Sequence, residues 1–226
     1  MNGKKALLLV GSPRGKASVS NSLGDHLLSA LKDRGLEPEK TFVYPALTDE
    51  KKAAELLAAV DSCALLILAF PLYVDHIPAP VMELLRRIAE RRQGRQAAAP
   101  QDLAAIVNCG FPETAQCRLA GEIMRIFAAQ AGFRFLGCLA TGMGGAVGSR
   151  ELAKRGGPYR HQVKALTQAA AFLAAGAEIP AAVIALMSKA MMPRWFYSLA
   201  ADWGWKRTAK KYGSSHRLRD QPYANS

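Results

Sequence analysis

The chain has 226 residues with a formal net charge of +12, 50% hydrophobic residues and 21% charged residues. That length allows one domain with a substantial core, and the recurring apolar runs exclude a disordered or fibrous chain. The charge alone leaves nucleic acid, an anionic membrane surface and anionic ligands open.

The amino-terminal lysines followed by an apolar run superficially suggest a secretion signal, but the run stops at Gly11 with no cleavage site after it. Lys5–Val10 therefore reads as a first strand. A helix is predicted over Ser20–Arg34, with Leu23, Leu27, Leu28 and Leu31 on one face and Gly35 ending it. Thr41–Tyr44 reads as a short second strand, and Thr48 and Asp49 cap a helix to about Val60. Cys63–Phe70 has the almost wholly apolar character of a strand buried on both faces. Pro80 opens a third helix, Val81 to about Arg92. A Gln- and Ala-rich connection, a strand over Leu103–Cys109, a helix over about Thr114–Ala131 and a strand over Phe133–Ala140 follow. Five strands alternating with helices predict a doubly wound parallel α/β sheet in the order 2-1-3-4-5.

Beyond Gly145, residues Ser149–Tyr159 read as a polar loop and His161–Ala175 as a fifth helix. Glu178 and Pro180 interrupt the apolar stretch Ala165–Met187, which predicts two packed helices rather than a membrane span. We place the main domain at residues 1–178 and a helical, aromatic and basic extension at 179–226.

The chemistry is expected in the loops after the strands. Gly11–Asn21 joins the first strand to the first helix, where backbone N–H groups and the helix dipole favour an anion. Ser12, Ser18 and Ser20 add hydroxyls and Arg14 a guanidinium suited to a phosphate monoester. An ordinary loop with Ser20 as helix cap and Arg14 as a solvated charge is the bland alternative. Neither GxGxxG nor GxxxxGK[ST] is present, which favours a terminal monophosphate over a pyrophosphate. In a 2-1-3-4-5 sheet this loop meets the one after the third strand, Phe70–Pro80, whose prolines stiffen a tip suited to a flat ring. Tyr73 and Leu72 are the stacking candidates, and His76 reads as a surface-loop histidine. Asn108–Thr114 and Thr141–Gly145 follow the fourth and fifth strands; their glycines allow close backbone approach and Asn108 can address a polar ring edge. Cys63, Cys109, Cys117 and Cys138 lack any CxxC spacing, so no metal or iron–sulfur site is expected and buried free thiols in a reducing cytoplasm are.

At these residues the sequence resembles the NAD(P)H-dependent FMN reductase group of the flavodoxin-like superfamily. Gly11-Ser12-Pro13-Arg14 with the following serines resembles that group's phosphate loop, Pro71-Leu72-Tyr73 its ring loop, and Asn108–Glu113 a segment of its shorter bacterial members. The likeness spans residues 4–145, and the first loop's serine segment is longer than the commonest form. It implies a flavodoxin-like fold with FMN held by Ser12, Arg14, Ser18 and Ser20 at the phosphate, by Pro71, Leu72, Tyr73 and Val74 along the ring, and by Asn108, Gly110, Phe111 and Gly142 around it. It further implies hydride transfer from NAD(P)H, as co-substrate, to flavin and on to a small-molecule acceptor such as a quinone, flavin, nitro or azo compound. A flavodoxin-like electron carrier without nicotinamide activity, or a non-enzymatic membrane-associated binding protein, are the rivals. No catalytic acid or base is needed.

The tail joins Trp195, Phe196, Tyr197, Trp203 and Trp205 to Lys206, Arg207, Lys210, Lys211, Arg217 and Arg219. Packing or contact with a second copy, giving a homodimer, is the first expectation, peripheral membrane contact the second and nucleic acid the third. No nucleic-acid-binding motif accompanies the charge.

Overall fold

The computed structural model describes residues 4–94, 99–147, 152 and 157–221. Most of the polar loop expected at 149–159, and part of the Gln- and Ala-rich connection, lie outside the described residues.

Five strands form one parallel sheet in the order β2-β1-β3-β4-β5: β1 Lys5–Val10, β2 Glu37–Phe42, β3 Leu65–Pro71, β4 Asp102–Asn108 and β5 Arg134–Thr141. Between them run α1 (Val19–Lys32), α2 (Val43–Leu47), α3 (Glu50–Ser62), α4 (Ala79–Arg92) and α5 (Arg118–Gln130, after a 3-10 turn at Thr114–Cys117). After β5 come α6 (Gly144–Val147), α7 (Arg160–Ala174), α8 (Ala181–Met187) and α9 (Arg194–Lys211). The strand alternation divides the core. Leu7 and Leu9 of β1, Leu66 and Leu68 of β3 and Ala105 and Val107 of β4 join a cluster with α3, α4 and α5. Leu8 faces the other way, against α1, where a Cβ on Gly24 would stand 2.6 Å from its Cδ2. The interior strands β1, β3 and β4 are buried almost throughout, as crossover helices on both faces require.

The second strand lies earlier than its apolar residues suggest. Glu37–Lys40 are exposed and include Pro38, which is compatible only with an edge strand, where charge and proline deter further pairing. The first helix starts at Val19 because Ser18, not Ser20, caps it: its Oγ accepts from Asn21 N at 3.1 Å. The opposite edge, β5, is met by the Glu178–Pro180 connection, where Ile179 N donates to Leu136 O at 2.7 Å.

The chain separates into two compact units, Met1–Met191 and Met192–Ser226, so the boundary expected after Glu178 falls too early. The reason is α8, which packs on α7 and β5 and so belongs to the first unit. The second unit is built on α9, closed by a turn in which Ser214 N donates to Ala209 O.

Candidate functional site

The carboxyl ends of β1, β3, β4 and β5 bring four loops together, and each join can be traced to specific atoms. Gly11 carries β1 past the first turn of α4: a Cβ there would lie 2.3 Å from Val81 Cγ2, so the approach requires glycine. Its N–H donates to Ala69 O at 2.8 Å, which ties the first loop to β3. Leu72 N donates to Asn108 O at 2.8 Å, tying the β3 loop to the β4 loop. Met143 N donates to Phe111 O at 2.7 Å and Gly144 N to Cys109 O at 2.8 Å, tying the β4 loop to the β5 loop.

Within the first loop Ser12 is buried while Arg14 is exposed. Gly15 turns at φ +51° and its N–H donates to Ser12 O at 3.0 Å. Ser18 spends its hydroxyl locally: it donates to Gly15 O at 2.6 Å while accepting from Asn21 N. Ser20 does something the sequence alone did not indicate. Its Oγ donates to Asn108 Oδ1 at 2.8 Å, a buried bond across 88 residues that joins the start of α1 to the tip of β4. A buried pair of this kind contributes about 1 kcal/mol net and costs about 1–3 kcal/mol if one partner is left alone.

The β3 loop folds back at Tyr73–His76, whose backbones exchange two hydrogen bonds of 3.0 Å. Its central residues Val74 and Asp75 stand at φ +49° and +58°. Positive φ suits Asn-Gly in such a hairpin turn and is strained for a β-branched residue. Val74 is 99% exposed, so packing does not hold it there. Tyr73 is exposed, whereas Leu72 is buried, with its side chain in the core and its N–H bonded to Asn108 O. Pro71 ends β3, half-buried.

In the β4 loop Phe111 is 49% exposed, and the Cα of Gly110 faces open space, with nothing within 4 Å of an added Cβ. Gly142 is different. A Cβ there would lie 2.7 Å from Pro112 O and 2.8 Å from Phe111 O, so this glycine lets one loop pack on another. Thr114, which sequence reasoning passed over, accepts from Gly142 N at 3.0 Å and donates to Ser188 O at 3.2 Å, pinning both loops to the end of α8. Gln162 secures that end from α7, donating to Met187 O and Lys189 O.

Two further features were hidden in the sequence. Tyr44, in α2 just past the end of β2, has its pKa raised first by burial and second by the charge of Tyr73. Its location went unseen because the second strand was expected to include it. Cys109 and Cys117, separated by a loop, meet as side chains: their mutual hydrogen bond lowers the Cys109 pKa and raises that of Cys117. Cys109 Sγ also points at the carbonyls of Phe111 and Glu113, at 3.8 and 3.7 Å. All four cysteines are free, and among the described residues no group of His, Cys, Asp and Glu is arranged to hold a metal.

The architecture matches solved structures closely enough to place it. An NADH:FMN oxidoreductase (EMOB) superimposes with a TM-score of 0.57 at 15% identity, over 80% of this chain and 93% of that one. The fold is the flavodoxin fold. An FMN-dependent NADH-azoreductase from Bacillus anthracis, in complex with FMN, gives a TM-score of 0.51 at 13% identity, over 76% of this chain and 99% of that one. RosB, with the bound intermediate 8-demethyl-8-formylriboflavin-5′-phosphate, gives 0.57 at 12% identity over 99% of this chain and 93% of that one. No protein-family model matches the sequence, and no curated protein matches it.

The loops at the strand ends thus carry the buried Ser12 and exposed Arg14 of the first turn, the exposed rings of Tyr73 and Phe111, and the buried amide of Asn108. No helix among the described residues is long and apolar enough to cross a membrane.

Proposed function

We propose that this chain is an FMN-dependent NAD(P)H oxidoreductase acting on a small-molecule acceptor. The observation that carries the reading is the hydrogen bond from Ser20 to Asn108, which joins the first loop, suited to a phosphate, to the tip of β4, where an amide suits a ring edge. The fit to FMN is chemical. Ser12, Arg14 and the start of α1 offer a hydroxyl, a fixed cation and a helix N-terminus to a dianionic monophosphate, while Ser18 and Ser20, whose O–H groups go to Gly15 O and Asn108 Oδ1, hold the shape of the loop around it. Tyr73 and Phe111 present exposed rings for stacking, the open side of Gly110 lets backbone approach a ring edge, and Asn108 offers an amide.

FMN held there supplies two-electron chemistry between a reduced nicotinamide and an acceptor. The residues named bind, orient and shield. No side chain among them is asked to move a proton: Asn108 and Ser20 are neutral partners, and Cys109 and Cys117 lie buried beneath the loop.

The test is to load the purified protein with FMN and mix it anaerobically with NADH and, separately, NADPH. Loss of the flavin absorption near 450 nm with at least one nicotinamide, and its return when a quinone is added, is the expected result. A flavin that stays oxidised with both would leave an electron carrier, the reading to which the basic surface also lends itself.

A further inference from the structure

The site just described is built from residues of the first unit, and the second unit, Met192–Ser226, has a character of its own. It concentrates two kinds of residue: all three tryptophans of the chain, and seven Lys or Arg against two Asp, out of a chain total of +12. Its helix α9 has 18 residues, a length of about 27 Å.

The helix is divided along its length. Trp195, Leu199 and Trp203 follow one another at a spacing of four and so share a face, with Phe196 beside them; all four are exposed, the tryptophans by 69% and 64%. The same row continues as Lys206, Arg207 and Lys210. Arg207 stands 5.5 Å from the Trp203 ring, and Asp202, the only acid on the helix, is taken up by Lys206 at 2.6 Å. The next turn adds Arg217 and Arg219, of which Arg217 pairs with Asp220.

We infer that this segment is a docking element for an anionic lipid surface, with the aromatic half of α9 at the level of the headgroups and the basic half on the lipid phosphates. Tryptophan has an apolar body and a polar N–H, and favours that interface over either water or hydrocarbon. Clustered cations add attraction to anionic lipid, each a roughly fivefold gain in partitioning. Charge argues against a second copy as the occupant: each copy carries seven Lys or Arg against two Asp in this unit, so pairing the two would bring like net charges together. Nucleic acid is disfavoured by the order of residues, since the rings come first and the cations after, rather than alternating along a backbone-sized groove. The helix is too polar to span, so the contact is peripheral.

Because every tryptophan lies in α9, intrinsic fluorescence reads this element alone. Full-length protein is mixed in 0.1 M salt with vesicles of phosphatidylcholine, with or without 40% phosphatidylglycerol, and followed by emission and by flotation. The expected result is a blue shift and flotation with the anionic vesicles only. Lys210→Ala with Lys211→Ala should weaken partitioning about 25-fold, and Trp195→Ala with Trp203→Ala should abolish flotation. Both pairs are exposed, and far-UV circular dichroism checks that the fold is kept. Unshifted emission with anionic vesicles overturns the inference. So does a dimer that the tryptophan pair dissociates, which makes a second copy the occupant, or a tighter complex with single-stranded DNA at the same salt.

Discussion

Gly110 and Gly142 look alike in the sequence, each a glycine just after a strand, yet the structure separates them, and a pair of alanine substitutions tests the separation. At Gly142 the new Cβ would sit 2.7 Å from Pro112 O, 2.8 Å from Phe111 O and 3.0 Å from Pro112 C. These are backbone atoms and cannot swing aside, so the two loops must part. Overpacking of this kind costs about 1–3 kcal/mol. Parting the loops also weakens the bonds from Met143 N to Phe111 O and from Gly144 N to Cys109 O, each worth about 1 kcal/mol. Gly142→Ala should therefore destabilise the protein by about 2–4 kcal/mol, or lower Tm by roughly 5–15 °C. At Gly110 the same change meets nothing within 4 Å and needs no unusual φ, so stability should stay within about 0.5 kcal/mol of the parent. If FMN lies against that open side, however, Gly110→Ala should cut FMN affinity tenfold or more. Thermal unfolding of the apoprotein and FMN titration, run on both variants, separate the two effects. An unaltered Tm for Gly142→Ala, or an apoprotein destabilised by more than 1 kcal/mol in Gly110→Ala, would refute the loop packing described.

Val74→Asn should stabilise the apoprotein by about 1 kcal/mol in urea titration, because Asn tolerates the φ of +49° and the exposed Val side chain gives up no packing. A loss of stability would mean that the turn is not strained. Asn108→Ala removes the acceptor of the buried Ser20 hydroxyl and should cost about 1–3 kcal/mol, whereas the double variant with Ser20→Ala should cost less than the two single changes added together. Burial pushes the Cys63 pKa up to about 12 from an ordinary 9.0, so the folded state keeps its proton in a window where the unfolded chain has lost it. Stability from this group is full below pH 9 and falls as pH rises through that window, by about 1.4 kcal/mol at pH 10. Comparing urea unfolding at pH 7 and pH 10, Cys63→Ala should show a correspondingly smaller loss than the parent.

The sheet order and the meeting of the first and third loops were legible in the sequence because interior strands of a parallel sheet are near-continuous apolar runs, as Lys5–Val10 and Leu65–Phe70 are. The edge strand was not, because Glu37–Lys40 look like a loop: an edge needs polarity and tolerates Pro38. At the site, residue types were readable but side-chain direction was not. Nothing in Pro71-Leu72-Tyr73 says that Leu72 turns inward and Tyr73 outward, since irregular backbone has no period to read. Ser18, Ser20 and Asn108 were all marked as polar candidates, yet the cap and the long-range bond could be assigned only once α1 and β4 were placed together. The Cys109–Cys117 contact is likewise set by tertiary structure, and no spacing encodes it.

Whether the strand-end loops hold FMN by its phosphate and its ring is decided by titrating FMN and riboflavin in parallel into the parent protein and Arg14→Ala. The expected result is one FMN per chain, riboflavin weaker by at least about 100-fold, and an Arg14→Ala variant in which FMN loses roughly 10- to 100-fold while riboflavin changes little. Equal binding of the two flavins, or no saturable binding of FMN, would contradict it.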